Sequence, residues 1–166
     1  MLLGILSDTH GYFHPELPTY LSDVDLILHA GDIGTDAVLD RLEALAPVRA
    51  VWGNIDGAPM RRRVPEHQRF QVEGLSFWMT HIGGRPERWA QGIGPVLRRE
   101  RPGVFICGHS HILRIERVGD PAGMLFLNPG AAGQHGFHKV KTCVRLVVEN
   151  GKARQAEVVH LDHAAG

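Results

Sequence analysis

Five short polar motifs, each following an apolar run, carry the residues of this chain that can do chemistry. Their candidate metal ligands are two carboxylates, one carboxamide and four imidazoles, with no thiolate. Oxygen and nitrogen ligands in this mixture suit a pair of borderline divalent metal ions, and such a pair can split phosphate esters. The motifs are Asp8-Thr9-His10, Gly31-Asp32, Gly53-Asn54-Ile55-Asp56, His81 and Gly108-His109-Ser110-His111.

The first half of the chain alternates strand-like and helix-like segments. We predict strands over residues 2–7, 25–30 and 48–52, a short helix over 15–22, and a helix from 35 or 36 to 46. This rhythm favours parallel strands joined by crossover helices. Ligands of such sheets gather beyond the carboxyl ends of the strands, which is where the first three motifs fall.

The second half is richer in strands. Residues 69–73 and 75–80 flank Gly74 and predict a hairpin, and residues 86–101 predict a helix interrupted by glycine. An Asn150-Gly151 pair is a strong hairpin turn signal between two further strands. The remaining predicted strands are 104–107, 112–118, 124–128, 142–149 and 152–161.

Size and composition limit the class of protein. The 166 residues fit one domain, 1–166, and Lys plus Arg (18) balances Asp plus Glu (18), which gives no electrostatic case for a nucleic-acid or membrane partner. No apolar stretch approaches the ~20 residues of a membrane span, and no basic segment leads into a secretory signal. We therefore expect a cytoplasmic protein, with Cys107 and Cys143 buried in apolar runs.

Each motif residue also has an explanation without a metal. Asp8 can cap a turn, Asp32 and Asn54 are ordinary turn residues, and a single histidine is more often structural than ligating. The metal interpretation depends on their joint occurrence at one predicted sheet edge. Gly31, Gly53 and Gly108 support it, because a side chain there would crowd the ligands.

This ordered pattern resembles the calcineurin-like metallophosphoesterase superfamily. The short length and the Gly-Asn-x-Asp form point to its small bacterial and archaeal phosphodiesterase branch. The resemblance implies an α/β fold of two packed, mixed β-sheets flanked by helices, a four-layer αββα sandwich. It also implies hydrolysis of a small phosphate ester, most plausibly a phosphodiester, by a metal-bridging hydroxide.

The resemblance carries a set of ligand roles. One metal ion would be held by Asp8, His10 and His111, the other by Asn54, His81 and His109, and Asp32 would bridge the two. Asp32, Asn54 and His109 would also take part in catalysis. Mixed imidazole and carboxylate ligands suit manganese first, with iron, zinc, nickel or cobalt as alternatives.

One departure concerns the proton donor. Better-known superfamily members carry a histidine after the motif asparagine, and this chain has Ile55, which cannot protonate a leaving group. The candidates that remain are His138, His135, His14 or a metal-bound water. The loss favours esters with good leaving groups.

Two smaller points belong to the same pattern. Asp56 is expected either to orient a ligand or a loop or to play a simple turn role. A family loop that ends in serine ends here in Ala131.

Other functions stay open at this point. The chain could be a phosphomonoesterase, or a protein-binding scaffold like the retromer subunit that shares this fold. A Rossmann-type dinucleotide binder and a serine hydrolase lack their glycine-rich and nucleophile-elbow motifs. A homo-oligomer is possible through the edge of the final hairpin.

Overall fold

Two five-stranded β-sheets form the centre of the computed structural model, which describes residues 1–162. The strands are β1 (Leu2–Leu6), β2 (Leu26–His29), β3 (Val48–Ala50), β4 (His67–Val72), β5 (Leu75–Thr80), β6 (Gly84–Arg85), β7 (Arg88–Trp89), β8 (Val104–Ile106), β9 (Arg114–Gly119), β10 (Ala122–Asn128), β11 (Lys141–Glu149) and β12 (Lys152–Leu161). The helices are α1 (Leu17–Leu21), α2 (Asp36–Glu43), α3 (Ala58–Arg63) and α4 (Ile93–Glu100).

Each sheet combines three adjacent parallel strands with strands that pair antiparallel. The first sheet runs β12-β11-β1-β2-β3, with β1, β2 and β3 parallel and the β11–β12 hairpin antiparallel. The second runs β4-β5-β8-β10-β9, with β5, β8 and β10 parallel. The predicted pair of mixed sheets is confirmed. Strand β12 lies at a sheet edge, as the oligomer hypothesis requires, and the homo-oligomer itself stays a prediction.

The core lies between the sheets and on their outer faces. Alternate residues such as Leu3 and Ile5 of β1 pack against Phe77 and Ile106 of the second sheet. The other face of the first sheet packs against α1 and α2, and that of the second against α4. Fully burying one such side chain contributes about 1.5–3 kcal/mol, so this packing fixes where the strand ends lie. Cys107 and Cys143 are buried and unpaired, as expected.

The predicted helix 86–101 is wrong in its first half. The chain forms the β6–β7 hairpin there, and the helix starts only at Ile93. Gly84, Glu87 and Gly92 have φ values of 79°, 74° and 83°, which a right-handed helix does not allow. Helix α3 was not predicted, because Met60 is its only buried residue and so it has no apolar periodicity.

None of the helices within residues 1–162 combines the length and apolar character needed to cross a membrane. The assignment of residues 1–166 to one domain stays a prediction, as does the cytoplasmic location.

Candidate metal centre

The carboxyl ends of five parallel strands deliver the seven predicted ligands to one place. In the first sheet, Asp8 and His10 follow β1, Asp32 follows β2, and Asn54 follows β3. In the second sheet, His81 follows β5, and His109 and His111 follow β8. Six of these side chains form two groups of three, and within each group the ligand atoms lie within 4.8 Å of one another. The groups are Asp8, His10 and His111, and Asp32, His81 and His109.

The two oxygens of the Asp8 carboxylate have different surroundings. Oδ2 accepts hydrogen bonds from the Ser7 hydroxyl (2.6 Å) and from the backbone N–H of His109 (3.1 Å). Oδ1 faces Nε2 of His111 at 3.1 Å. The protein therefore fixes this buried carboxylate through one oxygen and leaves the other turned toward the imidazoles.

Asp32 is divided in the same way. Its Oδ1 accepts the backbone N–H of Ile55 at 3.1 Å. Its Oδ2 lies 3.3 Å from Nε2 of His10 and 3.3 Å from Nε2 of His81. Because His10 belongs to one group and His81 to the other, Asp32 stands between them.

Two buried imidazole nitrogens face this carboxylate without a hydrogen-bond partner among residues 1–162. They are Nε2 of His10 and Nε2 of His81. Nδ1 of His81 lies 2.7 Å from the Ala30 carbonyl, which can only accept, so Nδ1 carries the proton and neutral His81 presents a lone pair at Nε2. A lone pair facing a carboxylate oxygen is unfavourable unless a cation lies between them. These residues therefore fit a bound metal ion.

A chain of hydrogen bonds orients His111 from behind. Nε2 of His138 lies 2.7 Å from the Gly133 carbonyl and must donate to it, which leaves Nδ1 of neutral His138 as an acceptor. Nδ1 of His111, 3.2 Å away, donates to that atom. The free lone pair of His111 is then on Nε2, beside Asp8.

The second group extends to Asn54. Nδ1 of His109 lies 3.0 Å from the Oδ1 atom of Asn54, and both residues are exposed. The centre thus has a buried side, formed by Asp8, Asp32 and His81, and an open side, where Asn54 and His109 face a cleft of about 850 Å³.

The charges of the metal-free centre are strongly coupled. Burial raises the pKa of Asp8, but His10 and His111 lower it by more, so that it lies well below the usual range. Burial by itself would raise the pKa of Asp32 and lower that of His81. The attraction between the two groups is larger than this effect, so the pKa of Asp32 is lowered and that of His81 is raised. Protons on the imidazoles thus compete with a metal ion, and metal affinity falls as pH falls.

The backbone of the centre is strained. Left-handed φ values cost a non-glycine residue on the order of 1–3 kcal/mol when the surroundings impose them. Five of the seven predicted ligands have such values, and all five lie within five residues after the end of β1, β2 or β8. They are Asp8 (56°), His10 (47°), Asp32 (54°), His109 (71°) and His111 (62°).

Asp56 ties two of the ligand loops together. Its carboxylate accepts backbone N–H groups from Gly53 (2.8 Å), Ile33 (3.1 Å) and Gly34 (2.9 Å). These donors flank Asn54 on one loop and Asp32 on the other. The structure places Asp56 where it orients loops, the first of the two roles considered for it.

Sequence reasoning missed two supporting residues. His29 is fully buried at the end of β2, where Nδ1 accepts the Gly31 N–H at 3.1 Å and Nε2 lies 3.0 Å from the Thr9 hydroxyl. Asn128 donates from Nδ2 to the Gly108 carbonyl and to the Ser110 hydroxyl, each at 3.1 Å. A polar residue closing an apolar run was the signal available for both.

The three candidate proton donors lie in different environments. His14 is buried, accepts the Glu16 N–H at Nδ1 and contacts Asp162 through Nε2, and it does not line the cleft. Both ring nitrogens of His138 are engaged with protein atoms. His135 lines the cleft, and its ring stacks on His10 with the centroids 4.8 Å apart. His135 is therefore the histidine best placed to meet a substrate.

The steric fit of Gly53 is testable. A Cβ atom there would lie 2.9 Å from the carboxyl carbon of Asp32 and closer still to Oδ1. We expect Gly53→Ala to displace this carboxylate and weaken Mn²⁺ binding at least about tenfold, or ~1.4 kcal/mol, by calorimetry on chelator-stripped protein. Gly57→Ala is the control, since its Cβ meets nothing closer than 3.9 Å. Equal affinities in Gly53→Ala and the wild type would contradict this account.

The buried His29 makes stability depend on pH. Burial lowers the pKa of His29 from 6.5 to about 4. As pH falls from 6.5 to about 4, His29 binds a proton in the unfolded chain but not in the folded chain, so acid destabilises the fold. We expect metal-free wild type to lose about 3 kcal/mol more than His29→Gln between pH 7 and pH 4, measured by urea unfolding. Parallel pH curves for the two proteins would remove His29 as the cause.

Comparison with known proteins agrees with this geometry. A probable metallophosphoesterase of Methanothermobacter thermautotrophicus is 35% identical over 136 residues, which cover 79% of this chain and 77% of the relative. A probable metallophosphoesterase of Methanocaldococcus jannaschii is 34% identical over 140 residues, which cover 79% of this chain and 68% of the relative.

Solved structures share the fold at lower identity. Vps29 of Entamoeba histolytica, complexed with Zn²⁺, has a TM-score of 0.73 at 22% identity and covers 96% of this chain and 99% of its own. A conserved Streptococcus pneumoniae protein described as a predicted phosphoesterase has a TM-score of 0.65 at 19% identity, covering 96% and 97%. Residues 1–151 match the calcineurin-like phosphoesterase superfamily domain, and the chain belongs to that superfamily.

Proposed function

We propose that this chain is a phosphodiesterase that depends on two divalent metal ions. The observation that carries the proposal is the position of Asp32 Oδ2, 3.3 Å from two buried imidazole nitrogens that have no other partner among the described residues. Family membership supports a metallophosphoesterase. The number of ions and the preference for diesters are our inference.

The two groups of side chains divide the ligands between the ions. Asp32 would serve both ions, because its Oδ2 faces a histidine of each group. Manganese is our first choice of metal, with iron, zinc, nickel or cobalt as alternatives. The ions, when bound, supply Lewis acidity that polarises the phosphoryl group and lowers the pKa of a water molecule toward neutrality. The remaining ligands are Asp8, His10 and His111 for one ion, and Asn54, His81 and His109 for the other.

The protein side chains prepare the centre for an anion. Hydrogen bonds to the outer oxygens of Asp8 and Asp32 fix both carboxylates in direction. Two divalent ions and two carboxylates leave a net charge of about +2, which attracts a phosphate ester. Asn54 and His109, on the open side, are the residues placed to touch its oxygens.

The departing group receives little help from the protein. Ile55 cannot donate a proton, and of the three candidate histidines only His135 lines the cleft without a hydrogen bond to another described residue. We infer that the enzyme favours esters whose leaving group departs without full protonation. His138 then acts by orienting His111 rather than by meeting the substrate.

The central test is turnover by a metal-loaded sample. We expect chelator-stripped protein to be inactive toward bis-p-nitrophenyl phosphate and to gain activity with Mn²⁺. Asp32→Ala should lose this activity by at least about a thousandfold, because both ions lose a ligand. Asp40→Ala is the control, since this exposed aspartate only pairs with Arg63 on the surface.

The failures of this test are informative. Turnover of p-nitrophenyl phosphate without turnover of the diester would make the chain a phosphomonoesterase. No turnover of either ester with two bound ions would contradict the enzymatic proposal and favour a protein-binding scaffold of the same fold.

The role of His138 separates from that of a catalytic acid. His138→Ala removes the acceptor that fixes His111, so we expect affinity for one of the two Mn²⁺ ions to fall about 10–100-fold. His138→Gln can accept from His111 and donate to Gly133, and it should restore most of that affinity. Calorimetry and Mn²⁺ electron paramagnetic resonance measure both variants. Loss of turnover in His138→Ala with unchanged binding of both ions would instead place His138 at the substrate.

A further inference from the structure

Exposed apolar side chains are concentrated around the candidate metal centre. Among residues 1–162, six large apolar side chains are exposed, and four of them line the cleft that contains the predicted ligands. Isolated exposed apolar residues are ordinary on a protein surface, whereas a cluster around one cleft marks a binding surface. The four are Ile55 (46% exposed), Ile112 (66%), Phe137 (105%) and Val140 (53%).

The sequence places this apolar rim directly beside the centre. Ile55 follows Asn54, and Ile112 follows His111. Phe137 immediately precedes the histidine that orients His111. A molecule bound at the open side of the centre therefore has apolar side chains of the same cleft close by.

The polar part of the cleft is nearly free of negative charge. Asp32 is the only carboxylate among the described residues that line it, and its free oxygen faces the histidines of the centre. Lys139, His135 and His160 line the same cleft. The charges of the walls thus suit an anion.

We propose that the cleft selects phosphodiesters that carry an apolar alkyl or aryl group, and that Ile112, Phe137 and Val140 contact that group. The inference rests on the proposed function, because the phosphate at the centre fixes where the organic group must lie. Burying apolar surface of the ester and of the rim together supplies the selectivity.

Binding of simple phosphonates to the Mn²⁺-loaded protein tests the inference without turnover. Methyl-, butyl- and hexylphosphonate share one anionic head and differ only in apolar length. Each fully buried methylene strengthens binding several-fold. Because the open cleft would bury the alkyl chain only in part, we expect the Kd measured by calorimetry to fall at least about tenfold from methyl- to hexylphosphonate. Phe137 and Val140 line this cleft, whereas Ile112 also lines the neighbouring cleft around Ile82, so the double variant Phe137→Ser/Val140→Ser should flatten this dependence.

Ile82→Ser is the matched control. Ile82 is 45% exposed but lies outside this cleft, in an adjoining one of about 640 Å³. It should keep the wild-type dependence on chain length. The opposite result would overturn the inference. If Kd no longer depended on chain length in Ile82→Ser but still did so in the double variant, the organic group would lie in the adjoining cleft.

The two proposals can fail separately. Equal binding of all three phosphonates, or no binding, overturns the apolar selectivity, even if bis-p-nitrophenyl phosphate is hydrolysed. A clear dependence on chain length without hydrolysis of any diester leaves the selectivity standing and removes the phosphodiesterase activity.

Discussion

The structure depends on one carboxylate oxygen that faces two buried ring nitrogens. Asp32 Oδ2 lies 3.3 Å from His10 Nε2 and from His81 Nε2, and neither nitrogen has a hydrogen-bond partner among the described residues. Such an arrangement is costly unless positive charge enters it, as protons or as metal ions. The raised pKa of His81 and the lowered pKa of Asp32 express the same requirement in the metal-free protein.

Holding those groups in place costs backbone conformational energy. Five predicted ligands adopt left-handed φ values, and the loops that carry them are fixed by side chains outside the set of predicted ligands. The Asp56 carboxylate accepts three backbone N–H groups, and Asn128 donates to the loop after β8. His29 contacts both the loop after β1 and the loop after β2. The packed sheets supply the stability that offsets this strain, and a site on rigid strand ends keeps its ligands in a fixed geometry.

The two sides of the centre have separate tasks. The buried side has polar atoms whose directions are set by neutral hydrogen-bonding partners such as Ser7 and Ala30. The open side joins a cleft whose rim is apolar. In the function that we propose, the first side would hold the ions and the second would select the molecules that reach them.

The sequence by itself determined the strand-forming runs, the β11–β12 hairpin and the identity of the polar residues that close each run, because those signals are local. It predicted the first half of the helix over 86–101 wrongly, because the positive φ values at Glu87 and Gly92 leave no local periodic signal. It also missed α3, because a helix with one buried residue has no apolar periodicity. Only the tertiary structure decided which oxygen of Asp32 faces the histidines, that His14 turns away toward Asp162, and that His138 supports His111. These are contacts between segments up to 148 residues apart, and their geometry follows from how the two sheets pack rather than from any local preference.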